Sequence, residues 1–369
     1  MMILFSKIIF LVYAVLIFFL LYGWFRNNTK TKTSNFKLSV VIAVRNEEKN
    51  IGKLISNLKL QDYNPNLFNV IVIDDHSEDQ TLKLLKKESA MWKNLKVLSL
   101  EKKYKGKKQA ILKGVKFSNS DIIITTDADC SFTHKWLTSI SSYFINEKIN
   151  LVSAPVSYNT SSNFFSKLQT IEFLSLIASA AGAIGINKPI LCNGANLAYR
   201  RKVFLEKNQY STDDKASGDD VFLLHNIKQY YNHSILFAKN LDALVLTDPK
   251  KSFTDFFNQR LRWSSKSVYY RDFDTIFVSM LVFVTNLLVV ISAICLMFES
   301  IYTDELISMI VLKFIVDFIF LVPILFFFNR TSLIGLIPIL QFFYPIYITL
   351  TSIISTFVSF NWKGRIEKS

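Results

Sequence analysis

Residues 38–48 read LSVVIAVRNEE, and residues 121–129 read DIIITTDAD. In the first stretch Leu38–Val44 is an unbroken apolar run, as a strand buried on both faces of a parallel sheet requires. Asn46, Glu47 and Glu48 follow as a helix start, with acids in the first turn where they face the positive end of the helix dipole. In the second stretch an apolar run ends in Asp127-Ala128-Asp129. Two further strands lie between, 70–73 ending in Asp74-Asp75 and then 97–100. The strands are separated by helical stretches of about 10–15 residues, the spacing of βαβ units. The pattern predicts an α/β fold with an open, mostly parallel sheet flanked by helices.

The rest of the chain has a different character. Of 369 residues, 43 are Lys or Arg and 29 are Asp or Glu, a net charge of +14, yet half the residues are hydrophobic and 33 are Phe. A positive mean hydropathy beside so large a charge points to a basic soluble domain joined to membrane segments. Ten glycines, seven prolines and three scattered cysteines exclude a collagen-like fibre, a disordered chain and a disulfide scaffold. The lysines are dispersed and most aromatics fall in apolar segments, so no nucleic-acid surface is expected. An anionic membrane surface or a phosphorylated substrate suits the basic excess better.

Residues 8–24 are uncharged and lack a small-residue cleavage site after them, which predicts a retained membrane anchor. Arg26, Lys30, Lys32 and Lys37 follow without an acid and place the next domain in the cytosol, at the cytoplasmic (inner) membrane. Residues 275–298 and 306–328 predict two more spans, joined by an acidic connection. Lys313 and Asp317 lie one helical turn apart and are expected to neutralise each other. Residues 331–362 are 32 uncharged residues with Pro338 and Pro345 inside them. A straight helix of that length would reach ~48 Å, too long for one crossing, so a broken, re-entrant or doubly passing segment is expected. The organisation predicted is an anchor over 1–27, a basic linker over 28–37, the soluble domain over 38–252, an interfacial amphipathic segment over 253–273, a membrane region over 274–362 and a basic tail over 363–369.

In open α/β sheets, ligands sit at the carboxyl ends of the strands. Two of those ends are acidic here. Carboxylates two apart at a strand exit can address one hard cation such as Mg²⁺ or Mn²⁺, although an Asx turn or a helix cap would use the same residue. Neither GxGxxG nor a P-loop is present. Gly106 and Lys107 open a helix in a manner suited to a diphosphate. Residues 194–200, GANLAYR, form a small-residue stretch where a backbone can approach a ligand, with Asn196 placed on the acceptor side. Asp219 and Asp220 precede an apolar helical run; one suits a cap and the other a general base. Gln259-Arg260-Leu261-Arg262-Trp263 lies on an aromatic-rich segment before the second span. The 14 apolar residues 173–186 are too short to cross a bilayer and predict a buried or surface helix.

Taken in order, IDDHSED, TTDAD, GANLAYR, SGDD and QRLRW, bracketed by membrane spans, resemble the membrane-bound family-2 glycosyltransferases. Within that class the chain is similar to ceramide-glucosyltransferase-like and polysaccharide-synthase-like enzymes with a D, D, D, QxxRW signature. The resemblance covers about residues 38–270 and implies a GT-A fold, a nucleotide-sugar donor (a UDP-sugar first), a divalent metal, a lipid-linked acceptor and inversion at the anomeric carbon. It implies that Asp75 contacts the nucleobase, Asp127 the nucleoside, and Asp129 the metal. Asp220 would be the base, Gln259 and Arg262 would hold the diphosphate, and Trp263 would shape the acceptor side together with Asp219. Two positions depart from the pattern: His76 stands where glycine is common, and Asp219 where Glu is usual. A processive polysaccharide synthase and a non-catalytic nucleotide-sugar-binding subunit are the alternatives.

Overall fold

A computed structural model describes residues 2–27, 34–207, 219–297, 303–357, 360–362 and 365–367. Along the chain the strands are β1 (Leu38–Val44), β2 (Phe68–Asp74), β3 (Leu95–Ser99), β4 (Ile122–Thr125), β5 (Ser131–Phe132), β6 (Leu151–Ser153), β7 (Val156–Tyr158), β8 (Leu197–Arg200), β9 (Ile235–Phe237) and β10 (Val245–Thr247). The helices are α1 (Met2–Arg26), α2 (Glu48–Lys59), α3 (Thr81–Met91), α4 (Lys107–Phe117), α5 (Trp136–Ser142), α6 (Phe164–Gly185), α7 (Arg201–Lys207), α8 (Asp219–Tyr230), α9 (Phe253–Ser264), α10 (Phe273–Met297), α11 (Thr303–Phe327) and α12 (Ile337–Ile354). They form two compact units. A sheet unit holds Asn27–Asn159 and Pro189–Asp248, and a helical unit holds the remainder. The soluble segment expected over 38–252 therefore lends residues 160–188 and 249–252 to the helical unit.

In the sheet unit the strand order is β3-β2-β1-β4-β8-β6-β9. β1 pairs in parallel with β2 on one side and β4 on the other, and β2 with β3. The chain thus moves outward from β1 to β3 and returns beyond β1, so the strand order reverses between β1 and β4. A crevice opens at the carboxyl ends of strands at such a reversal. Leu38, Val40, Val41 and Ile42 are wholly buried, as the unbroken apolar run of β1 predicts. β8 runs antiparallel to both β4 and β6. Of the small-residue stretch 194–200, residues 197–200 are thus a sheet strand. α4 lies close on β1 and β2 because residue 114 is glycine: a Cβ there would stand 2.5 Å from Val41 Cγ1 and 2.6 Å from Ile73 Cδ1.

Among the described residues, the helical unit has five helices long and apolar enough to cross a membrane, in Leu4–Arg26, Phe164–Gly185, Phe273–Met297, Thr303–Phe327 and Thr331–Ile354. They suggest a membrane protein. The sequence reading expects one such helix before the sheet domain and about three after it. α6 is the addition by length and composition: the buried or surface helix expected over 173–186 is present and mostly buried, but it begins nine residues earlier. Capped by the Asn163 side chain, it starts at Phe164 and runs 22 residues. It includes Glu172, whose charge is met by buried Arg260. That acid ended the apolar count in the sequence, and its partner lies 88 residues away. α1 and α6 touch backbone to backbone: a Cβ on Gly23 would sit 1.9 Å from the Gly182 carbonyl oxygen, an approach only small residues permit.

Lys313 and Asp317 do pair, at 2.7 Å, and two more helices complete the set. Tyr13 donates to Asp317 at 2.6 Å, Gln341 Nε2 donates to Asp317 at 2.9 Å, and Lys313 donates to Gln341 Oε1 at 2.7 Å. Such mutual satisfaction is what makes buried charge tolerable in an apolar bundle. The long apolar stretch after residue 331 is broken. A 3-10 turn over Thr331–Leu336 leads into α12, which ends at Ile354, and Phe360–Trp362 pairs antiparallel with Arg365–Glu367.

Candidate active site

Asp75 directly follows β2 and is only 2% exposed. Its Oδ2 accepts the backbone N–H of Gly106 at 3.0 Å, which ties the β2 exit to the start of α4. Asp74 serves the turn, accepting from the Ser77 N–H at 3.3 Å. Arg45, just past β1, braces the loop: Nη1 donates to the carbonyls of Asp75 and His76 at 3.0 and 2.7 Å, and Nη2 to Glu78 Oε1 at 2.9 Å. His76 has φ 57. The loop therefore keeps the left-handed backbone that glycine would adopt there, in a residue type that tolerates it better than most. The nascent α2 and α3 cap each other. Glu48 N–H donates to Asp79 Oδ2 at 3.2 Å, and Gln80 N–H donates to Glu48 Oε2 at 3.0 Å.

Gly106 has φ 91 and ψ 161, a region open essentially to glycine alone. No heavy atom lies within 4 Å of a Cβ built there, so the demand is conformational and not steric. Gly106→Ala is expected to cost about 1–3 kcal/mol and to shift the N–H that Asp75 accepts. A lowered melting temperature with weakened nucleotide binding is the expected result, and unchanged values for both would refute it.

Lys107, the first residue of α4, pairs with Asp127 Oδ1 at 2.5 Å. The Asp127-Ala128-Asp129 segment alternates as its residue types dictate: Ala128 is buried, Asp127 partly exposed, and Asp129 exposed. Asp129 accepts from the Thr247 hydroxyl at 3.3 Å and from the Cys130 thiol at 3.8 Å. Burial, then the two nearby aspartates, push the Cys130 thiol well above its usual range, which removes it as a nucleophile. Among the described residues, no three His, Cys, Asp or Glu side chains gather into a cation cage. Mg²⁺ and Mn²⁺ bound with a nucleotide do not require one, since one or two carboxylates plus phosphate oxygens suffice. An exposed Asp129 beside Asp127 fits that donor set.

Asp220 sits in the first turn of α8. Its Oδ2 accepts the Gly194 N–H and its Oδ1 the Val221 N–H, both at 2.9 Å. Thr125, at the end of β4, donates to the Gly194 carbonyl at 3.1 Å. Hydrogen bonds thus run from Asp75 through Gly106 and Lys107 to Asp127, and from Thr125 through Gly194 to Asp220, along one edge of the sheet. Two backbone N–H groups thus hold and orient the Asp220 carboxylate. A Cβ at Gly194 would stand 3.3 Å from Asp220 Oδ2 and 3.4 Å from its Cβ. Gly194→Ala should push the carboxylate aside by a few tenths of an ångström and lower turnover by roughly tenfold, given how steeply rate falls with misplacement. Steady-state kinetics at matched folded protein would show this, and an undiminished rate would refute it.

Asn196 departs from its expected role. It is wholly buried, and its amide is committed to protein: Nδ2 donates to the carbonyls of Pro155 and Ala243 at 2.8 and 2.7 Å, while Oδ1 accepts from Trp136 Nε1 at 3.0 Å. It is a framework residue, with no amide group left to turn toward an acceptor. The side chain of Asp219, and Ser217 and Gly218 entirely, lie outside the described residues.

In the helical unit the QxxRW sequence occupies the last two turns of α9. Gln259, Arg262 and Trp263 are partly exposed, whereas Arg260 is 3% exposed. Trp263 lies against Phe173 of α6, ring centroids 6.0 Å apart. Arg260 and Glu172, the centre of this cluster, carried no signal in the sequence beyond an arginine inside the motif.

Residues 39–207 match the family described as Glycosyl transferase family 2. The match, with the relatives below, supports a family-2 glycosyltransferase. Glycosyltransferase AglE of Haloferax volcanii is 31% identical over 121 residues, 33% of this chain and 40% of that protein. Beta-monoglucosyldiacylglycerol synthase of Trichormus variabilis is 31% identical over 37% of this chain and 29% of its own. The 4,4'-diaponeurosporenoate glycosyltransferase of Staphylococcus aureus is 31% identical over 44% and 42%. The chain thus spans less than half the length of these curated relatives. The solved mannosyltransferase PcManGT from Pyrobaculum calidifontis, in complex with GDP-Man and Mn²⁺, superposes with a TM-score of 0.60 over 94% of this chain and 95% of its own at 13% identity. That likeness is one of fold, and it bears out the GT-A-type sheet with apolar helices before and after it.

Proposed function

We propose that this chain is a membrane-bound, metal-dependent, inverting glycosyltransferase that moves one sugar from a nucleotide-sugar to a hydroxyl of a lipid-linked acceptor, with its sheet unit in the cytosol. The observation that carries the reading is the gathering of Asp75, the Lys107–Asp127 pair, Asp129 and Asp220 at the carboxyl edge of a sheet whose strand order reverses between β1 and β4. The names of two relatives contain apolar groups, diacylglycerol and diaponeurosporenoate, and favour a lipid over a soluble sugar as acceptor.

In this reading Asp75, buried and held by Gly106, faces the nucleobase, and Asp127 the nucleoside. Asp220 takes the proton of the acceptor hydroxyl as its oxygen bonds to the anomeric carbon. The bond from that carbon to the diphosphate oxygen breaks, and its electron pair leaves with the nucleoside diphosphate. Attack from the face opposite the leaving group inverts the centre. Lys107 is assigned to the diphosphate, where its ammonium would offset the charge that builds on the leaving group. Asp129 would hold a divalent cation, which supplies further charge neutralisation when bound. Gln259 and Arg262 are assigned to the diphosphate, and Trp263 to the acceptor side.

The test is transfer of radiolabelled sugar from a panel of nucleotide-sugars in purified membranes with Mn²⁺ or Mg²⁺, the products separated by size and lipid solubility. A single labelled glycolipid is expected. A ladder of sizes would replace one-step transfer with processive synthesis, and nucleotide-sugar binding without any product would favour a non-catalytic subunit.

A further inference from the structure

The QxxRW segment contains a second arginine, Arg260, and its side chain is among the most thoroughly engaged in the helical unit. Its Nε donates to Glu172 Oε1 at 3.0 Å and its Nη2 pairs with Glu172 Oε2. Tyr347 of α12 donates to the same Glu172 Oε1 at 3.3 Å. The guanidinium plane is flanked by two aromatic rings, with its carbon 4.6 Å from the Phe256 centroid and 4.3 Å from the Trp263 centroid. The third arm, Nη1, donates to Gln259 Oε1 at 2.7 Å.

This last contact has a chemical consequence for its neighbour. A carboxamide has one acceptor end and one donor end. With Oε1 of Gln259 taken by the guanidinium, the amide is turned so that its NH₂ group is the end left to present. An NH₂ group suits phosphate oxygens, which only accept. The opposite rotamer would offer an oxygen to an anion and repel it.

We propose that Arg260 is a positioning residue: anchored on Glu172 by two arms, it uses the third to set the polarity of the Gln259 amide for a donor diphosphate. The inference rests on the assignment of Gln259 to that diphosphate. It also says why arginine is required. Only a planar fork can chelate one carboxylate, lie between two rings and still donate to a third group, and lysine's point charge cannot.

The test is a double-mutant cycle on kcat/KM for the nucleotide-sugar, using Arg260→Lys and Gln259→Ala in the full chain at matched folded protein. Arg260→Lys alone should lower kcat/KM by about tenfold to a hundredfold, as a displaced binding group does. In the Gln259→Ala background it should add less than about twofold, because its effect passes through the amide. A merely structural role would give additive losses, and additivity overturns the proposal while leaving Gln259 on the diphosphate. Full activity of Gln259→Ala would remove that assignment and the proposal together. Gln259→Glu supplies a second reading, should the lysine variant fold poorly. It keeps the contact to Arg260 and deletes the NH₂ donors, so donor affinity should fall as far as in Gln259→Ala. Retained affinity in Gln259→Glu overturns the proposal.

Discussion

Replacing Asp220 by Asn is expected to reduce sugar transfer by about 10³-fold, within the range that general-base removal commands, and to leave donor affinity within about threefold. The variant is nearly isosteric, so the contrast between the two readouts is chemical. A carboxylate accepts a proton in the transition state and an amide does not. One structural side effect follows from the two N–H groups that Asp220 accepts, those of Gly194 and Val221. An Asn in the same place must turn its NH₂ toward one of these donors, and that mismatch should lower the melting temperature slightly. Donor-binding calorimetry beside the transfer assay separates the effects. Parallel loss of donor binding and transfer would move Asp220 out of the base role and into the donor site. Asp220→Glu sharpens the point. It keeps the carboxylate but adds a methylene against the close Gly194 backbone, so it should recover part of the activity and not all of it.

The parallel half of the sheet was legible because its strands are long apolar runs that end in charge. Leu38–Val44 is predicted to the residue, and the strands read at 70–73 and 97–100 fall within two residues of β2 and β3. β6 and β9 have three residues each, too few for a period to emerge from the surrounding loops. β8 is not assigned as a strand in the sequence, where it lies within a small-residue stretch, because its burial comes from two antiparallel neighbours, which no local pattern encodes. The acidic strand ends were legible for a related reason: an Asp at the exit of a buried strand must be satisfied or used, whichever fold it sits in. Direction was not legible. Asn196 has the right residue type on a plausible segment, yet its amide is consumed by Trp136, Pro155 and Ala243. His76 shows the converse, since an unexpected residue type keeps the expected backbone through its left-handed φ. Arg260 and Glu172 are found only in three dimensions. An acid buried inside an apolar helix becomes evident only in the fold, which brings in its partner from 88 residues along the chain.

Asp129→Ala is expected to abolish the stimulation of donor binding by Mn²⁺ or Mg²⁺ and to lower transfer by about 10²–10³-fold, the scale set by several kcal/mol of lost charge stabilisation. The neighbouring carboxylate cannot substitute. Asp127 is paired with Lys107, so drawing it onto a cation would strip the lysine of its partner, whereas Asp129 is exposed and accepts from a hydroxyl and a thiol. The two aspartates should therefore fail differently. Asp127→Asn breaks an ion pair and should weaken nucleotide binding with or without added metal. Asp129→Ala should matter only in its presence. Titrating Mn²⁺ against a fixed concentration of nucleoside diphosphate, followed by calorimetry, reads both variants directly. If Asp129→Ala retains the metal stimulation of the unaltered chain, Asp129 is not the metal ligand. If Asp127→Asn loses that stimulation instead, the cation sits on the residue now paired with Lys107, and metal binding would then have to displace the lysine toward the diphosphate.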